Sequence, residues 1–228
     1  MAAEVIFSVY VVLDDSCLAP GRFAAAAAAA SNGGATVLQF RSKKLCDAER
    51  LSAIREILEV TVERGVPLLV NDRADLALAS GADGVHLGAG DIPIEVARRL
   101  LGPDAIIGGT AHSIEEAVLA EKKGADYISA GCIFTSVTKP ALAPAGPGLI
   151  EDIAGAVSVP VVAIGGITPE NARTAIEAGA GGVVSVSYVW NSPDWRKAVA
   201  ELAAAVQRQR EEGNVSREAL FLDSQGEE

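Results

Sequence analysis

The chain has 228 residues, half of them hydrophobic (50%), which is enough for one large core; aromatics at 4% leave that core to Ala, Val, Ile and Leu. A formal net charge of -11 excludes a general binder of nucleic acid or anionic membrane, which needs a basic surface, but allows a small anion in a locally basic pocket. The three cysteines Cys17, Cys46 and Cys132 include no CxxC pair, and an odd number gives no disulfide framework.

The start, Met1 to Ile6, has no basic region before its apolar run, and no apolar stretch reaches the roughly 18 residues of a membrane span, so a cytoplasmic protein is expected. Residues 6–13 are a β-branched run and the first expected strand. Pro20 opens a helix through the alanines 24–30, because Ala is the best helix former, and Asn32-Gly33-Gly34 ends it. A second strand is expected over residues 36–40. Asp47 can cap a helix through Arg64, with Leu51, Ile54, Ile57 and Leu58 on one face, and Gly65 stops it. A strand over 66–70 and a short helix over 74–79 follow.

The alternation then repeats, with strands over 84–87, 105–108, 127–130, 159–164 and 182–186. The helices between and after them are expected over 93–101, 113–123, 149–157, 168–178 and 194–210. Ser113 with Glu116 reads as a capping box, and Pro169 suits a first helical turn. Three helices end in a similar phrase, Ser80-Gly81-Ala82-Asp83-Gly84, Lys123-Gly124-Ala125-Asp126 and Ala178-Gly179-Ala180-Gly181-Gly182, a repeat that marks βα units and not catalysis. About eight strand–helix units with near-continuous apolar strands point to a single (β/α)8 TIM barrel over residues 1–210. An open doubly wound sheet is the alternative, weakened because no GxGxxG follows the first strand. The acidic, polar tail, residues 211–228, is expected to be loosely held, with Leu220-Phe221-Leu222 its one apolar patch.

In a barrel the active site lies where the strands end, so the polar residues after each apolar run should converge. Gln39, Arg41 and Lys43 alternate onto one side of the second strand, which suits an anionic partner; Lys43 and Lys44 also read as solvated loop charges. Asp72, in Asn71-Asp72-Arg73, and Asp91 stand after adjacent strands and can share one hard cation, or each can cap the helix that follows. His86 can be a ligand, a base or a packed core residue. Gly108-Gly109-Thr110 offers close backbone approach and a hydroxyl, and His112 reads as structural. Thr135-Ser136-Val137-Thr138-Lys139 sets three hydroxyls and an ammonium just past a strand, in a pattern suited to phosphate oxygens. Gly165-Gly166 and Ser187 follow the last two strands, where barrels often hold phosphate on backbone N–H groups. One region therefore suits a magnesium-bound pyrophosphate and the other a monophosphate.

Together these pieces resemble the thiamine-phosphate synthase family and its tautomerase relatives of the TenI type. The similarity runs from about Leu13 to Trp190 and rests on Gln39-Phe40-Arg41-Ser42-Lys43, Asn71-Asp72-Arg73 and Gly84-Val85-His86-Leu87-Gly88 with Asp91. Thr138-Lys139, Ala163-Ile164-Gly165-Gly166-Ile167 and Ser187 complete the set. The resemblance implies a (β/α)8 barrel that joins 4-amino-2-methyl-5-hydroxymethylpyrimidine pyrophosphate to a thiazole phosphate. It implies that Gln39, Arg41, Lys43, Asn71 and Lys139 hold the pyrimidine pyrophosphate, with Thr110 near it where the family usually has a serine. It implies Mg²⁺ on Asp72 and Asp91, and the thiazole phosphate on Ser136, Thr138, Gly166, Val186 and Ser187. Arg41, Lys43 and Lys139 would take up leaving-group charge; the partners implied are phosphorylated small molecules and a second copy of the chain in a homodimer.

Besides Thr110, the chain departs from the family pattern in three places. Cys132 stands where the family has the Pro of a Gly-Pro, Thr135-Ser136 stands for Pro-Thr, and Ala89-Gly90 replaces a glutamine before the second aspartate. Ser113 to Ala117 look like the tautomerases, but those have a His at the position of Cys132. A thiazole tautomerase and a non-catalytic sensor of a thiamine precursor are the alternative functions.

Overall fold

The strands are β1 (Val9–Asp14), β2 (Val37–Arg41), β3 (Leu68–Asn71), β4 (Gly84–Leu87), β5 (Ile106–Ala111), β6 (Tyr127–Ala130), β7 (Val161–Ile164) and β8 (Gly182–Ser185). In the computed structural model, which describes residues 5–136 and 143–224, they form a closed barrel in sequence order with every pair parallel. Outside it lie α1 (Phe23–Asn32), α2 (Asp47–Val62), α3 (Ala74–Ser80), α4 (Ile94–Leu101), α5 (Ile114–Lys122), α6 (Gly148–Ala156), α7 (Pro169–Glu177), α8 (Ser187–Trp190) and α9 (Trp195–Ser224). The barrel expected from the sequence is therefore the fold of the protein. Among the described residues no helix is long and apolar enough to cross a membrane.

Strand alternation builds two cores. Val9, Val11, Leu38, Leu68, Ile128 and Ala163 pack outward against the helices. Tyr10, Val12, Val37, Leu69, Tyr127, Val162 and Val184 pack together inside the barrel, with Phe7 among them. Both faces are buried, which is why the strands read as unbroken apolar runs. Ala26, Ala27 and Ala30 of α1 are fully buried, their methyl groups letting the helix lie close on the sheet. Gly108 makes room for the largest inward side chain: a Cβ there would stand 2.1 Å from the Tyr127 ring.

The repeated Gly-Ala-Asp phrase has a structural purpose at the rim where strands begin. The Asp83 carboxylate accepts the Leu68 N–H at 2.8 Å, and the Asp126 carboxylate accepts the Ile107 N–H at 2.6 Å. Thr36 does the same for Val9 through its hydroxyl at 3.1 Å. In each case the residue's own N–H returns to the carbonyl of that same strand residue, and Gly181 keeps this backbone bond to Val161 without a side chain.

Several boundaries differ from expectation. Cys46, not Asp47, is the N-cap of α2; Asp47 is its first residue and instead pairs with Arg50 and Arg73. The helix ends at Val62, two residues short of Arg64. Ser113 caps α5, but the Glu116 carboxylate accepts from His112 N, one residue before the cap, so the expected box does not close. Reciprocal boxes form instead at α2 between Cys46 and Glu49 and at α7 between Thr168 and Asn171. The helix α8 was not expected, and α9 runs to Ser224, past residue 210.

Candidate active site

The polar residues after the strands converge. A cavity of about 320 Å³ at the C-terminal ends of the strands is lined by Gln39, Arg41, Lys43, Asn71, Asp72, Thr110, Ser136, Gly166, Val186 and Ser187. Asp91 does not line it but borders the adjoining cleft, which it shares with Lys43, Asn71 and Asp72. Thr138 and Lys139 lie outside the described residues.

One end of the cavity is charged, and each cation there has a carboxylate partner. Arg41 donates to Asp14 at 2.5 Å, and Asp14 is 1% exposed. Lys43 Nζ lies 2.5 Å from Asp72. Asp72 caps no helix: Arg73 is the N-cap of α3, and Asp72 adopts a φ of 64°, a conformation costly for a residue with a side chain. Asp91 caps no helix either, since Pro93 is the N-cap of α4; one oxygen of Asp91 accepts the Gly88 N–H at 2.7 Å. Partial burial pushes Asp72 up, but the Lys43 ammonium and a hydrogen bond with Asp91 outweigh it and hold the carboxyl below its usual range. Burial, with the neighbouring Asp72, holds Asp91 above its usual range against the opposing Gly88 N–H.

Asp15 clamps the loop that carries Lys43. It is 7% exposed, and one of its oxygens accepts from Ser42 Oγ at 2.6 Å, Lys43 N at 2.9 Å and Lys44 N at 2.8 Å. Lys44 is not a free loop charge: its ammonium donates to the Asp15 carbonyl at 2.7 Å. Asp14 and Asp15 were missed by the sequence reading. The available signal was a pair of acids directly after a fully apolar strand.

The floor between the two ends is uncharged. Gln39, Tyr10, Tyr127, His86 and Thr110 form one hydrogen-bonded series, from Gln39 Nε2 on the Tyr10 hydroxyl to His86 Nε2 against Thr110 Oγ1. His86 thus faces the cavity and is hydrogen-bonded in the floor at once. His112 reaches the cavity wall, with its ring and backbone N–H both bonded to Glu116.

The far end is built of glycine and hydroxyls. Gly165 and Gly166 have φ of 102° and 65°, and a Cβ on Gly166 would stand 2.3 Å from the Thr135 carbonyl oxygen. Asn171 holds this turn, donating to the Gly166 carbonyl at 2.8 Å and accepting from Thr168 N at 2.9 Å. Val186 and Ser187 lead into α8, and Trp190 pins that helix by donating to the Val12 carbonyl at 2.6 Å. The buried Cys132 thiol lines this side and donates to the Phe134 carbonyl at 2.9 Å. Glycine turns, hydroxyls and a helix start suit a phosphate without any side-chain charge.

Known proteins resemble this chain in sequence and fold. The family model described as thiamine monophosphate synthase matches residues 9–189. The chain is 46% identical to a thiamine-phosphate synthase of Chlorobium phaeovibrioides, over 89% of this chain and 94% of that protein. It is 40% identical to one of Clostridium novyi, over 88% of this chain and 98% of that protein. A solved structure described as thiamine phosphate pyrophosphorylase from Pyrococcus furiosus superposes with a TM-score of 0.82 at 38% identity, covering 90% of this chain and 98% of that one. The chain belongs to the thiamine monophosphate synthase family and is a transferase of that kind.

Proposed function

We propose that the chain joins 4-amino-2-methyl-5-hydroxymethylpyrimidine pyrophosphate to a thiazole phosphate, releasing pyrophosphate and forming thiamine phosphate. The observation that carries this reading is one cavity with two unlike anion-binding ends, joined by an uncharged polar floor. Arg41 and Lys43, with Lys139, hold the pyrophosphate, and Asn71 stands beside them. The floor, with Gln39 and Thr110, seats the pyrimidine ring. Ser136, Thr138, Gly166, Val186 and Ser187 hold the thiazole phosphate.

The donor set at the charged end fits Mg²⁺. Asp14, Asp72 and Asp91 match Arg41, Lys43 and Lys139 one for one, so a polyanion would bring charge that no side chain is left to neutralise. Mg²⁺ takes few carboxylates and leaves its other positions to water and phosphate, which suits a pair of carboxylates beside a cavity. Asp72 and Asp91 would hold it, and the ion would neutralise charge on the leaving pyrophosphate.

The bond from the pyrimidine methylene to the pyrophosphate oxygen breaks first, and the electron pair leaves with pyrophosphate. The aminopyrimidine stabilises the resulting benzylic-type cation, and the thiazole nitrogen attacks it. No side-chain nucleophile is required. The chain contributes positioning and electrostatic stabilisation: Arg41 and Lys43 take up leaving-group charge, and the fixed floor aligns the ring with the incoming nitrogen. A homodimer working in the cytoplasm belongs to the same proposal, and sedimentation tests the dimer.

Pyrophosphate release with both substrates, with and without Mg²⁺, tests the reaction in the native chain and in Asp91→Ala. Release that needs both substrates, the metal and Asp91 is the expected result. No release from the native chain removes the synthase reading, and turnover of the thiazole phosphate alone replaces it with a tautomerase.

A further inference from the structure

The hydrogen-bonded series in the floor can be ordered by its protons. Gln39 Nε2 donates to the Tyr10 hydroxyl at 2.5 Å, and Tyr10 lies 3.0 Å from the Tyr127 hydroxyl. Tyr127 lies 2.8 Å from His86 Nδ1, and His86 Nε2 lies 2.9 Å from Thr110 Oγ1. Tyr10 and Tyr127 are 1% and 0% exposed, so a hydroxyl proton without an acceptor would be costly at either. Burial holds both phenols far above their ordinary range, and each brings one proton.

Those protons can be placed in one order. The Tyr10 oxygen already accepts from Gln39, so its own proton goes to Tyr127. The Tyr127 proton then goes to His86 Nδ1. In that order His86 carries its proton on Nε2 and gives that hydrogen bond to Thr110. The Thr110 oxygen is then an acceptor on the His86 side, and its own proton is turned to the cavity. The opposite direction would need the Gln39 amide to accept from Tyr10, and it would spend the Thr110 proton on His86.

We infer that Tyr127 is a positioning residue: through the His86 tautomer it makes Thr110 a hydrogen-bond donor to the substrate. The group facing Thr110 must therefore be an acceptor, either a pyrophosphate oxygen or an unprotonated ring nitrogen. The effect on turnover rests on the synthase reading, whereas the direction of the series does not. Gly108 leaves the space in which the Tyr127 ring lies, and Phe7 packs against that ring at 4.5 Å between centroids, so Phe at position 127 keeps the packing and loses only the hydroxyl.

The chain has two histidines, so ¹⁵N NMR of the histidine-labelled native protein near neutral pH reads the tautomer directly, with His112→Gln assigning the signals. The expected result is neutral His86 with its proton on Nε2. A proton on Nδ1, a mixture or an imidazolium overturns the inference. Tyr127→Phe should disturb that tautomer and lower kcat about tenfold, the size of one lost hydrogen bond, leaving KM for the thiazole phosphate unchanged. Thr110→Val should lower kcat as well, and the double variant should be no slower than Thr110→Val alone; losses that multiply overturn the relay. A native protein with the Nε2 tautomer that releases no pyrophosphate leaves the direction standing and removes the synthase reading instead.

Discussion

Asp83 and Asp72 stand at the two ends of β3 and use the same carboxylate differently. Asp83 accepts the N–H of Leu68, where the strand begins, at 2.8 Å. Asp72, just past Asn71, takes the Lys43 ammonium at 2.5 Å and shares a cleft with Asp91. The contrast extends around the barrel. At the starting rim Thr36, Asp83 and Asp126 accept backbone N–H groups and are satisfied within the chain. At the ending rim Asp14 and Asp72 pair with Arg41 and Lys43, and Asp91 stands beside them. Groups that tie one strand's start to the next complete a fold; ion pairs gathered around an open cavity suit a ligand. The two rims also differ in strain, since Asp72 alone among the described non-glycine residues has positive φ.

The sharpest way to break this contrast is Lys43→Ala. It should lower kcat/KM for pyrophosphate release by about 10²- to 10³-fold, the range for losing a preorganised electrostatic donor, with little change in melting temperature. A large loss of stability with intact turnover would place Lys43 among the fold-completing groups. Asp126→Ala should do the reverse. It leaves the buried Ile107 N–H and the Arg98 guanidinium without this partner and should cost about 1–2 kcal/mol by chemical denaturation, with kcat unchanged.

Gly166→Ala probes the uncharged end of the cavity. Its φ of 65° and the Thr135 carbonyl 2.3 Å from the new Cβ force the turn to shift. A cost of at least about 1–2 kcal/mol is expected, together with a several-fold rise in KM for the thiazole phosphate and little change for the pyrimidine substrate. Equal changes in both KM values would mean that the two ends are not separate subsites.

Asp15→Asn should have the smallest effect and sharpens the comparison through pH. Burial pushes Asp15 up, but Ser42, the Lys44 and Lys43 N–H groups and the Lys44 charge outweigh it and hold the carboxyl below its ordinary range. Its stabilisation is therefore complete above the unfolded value near pH ~4 and fades as pH falls through the lower folded value. The melting-temperature gap between native and Asp15→Asn, about 0.5–1 kcal/mol in stability, should be constant at neutral pH and close in strong acid. A gap that persists below that window would assign the clamp to packing.

The alternation of apolar runs with helical stretches was legible because both periods are local, and it located every strand and every helix but α8. Gln39, Arg41, Asn71 and Ser187 were legible as cavity-lining residues because each stands at or near the end of an apolar run that must face the cavity once the chain is a barrel. Asp14 and Asp15 were not, since an acid pair after a strand looks like an ordinary loop start. Asp72 and Asp91 were readable as helix caps, and only the structure shows that Arg73 and Pro93 hold those positions.

By itself the sequence determined the barrel, its core of small aliphatic residues and the rim where polar chemistry collects. These follow from period, propensity and the order of strand and loop along the chain. The tertiary structure decided the partners. Arg41 meets Asp14 because β1 and β2 pair in that register. Tyr10 meets Tyr127 because closure brings the first strand across from the sixth. Such contacts depend on strand register and barrel closure, which no local pattern carries.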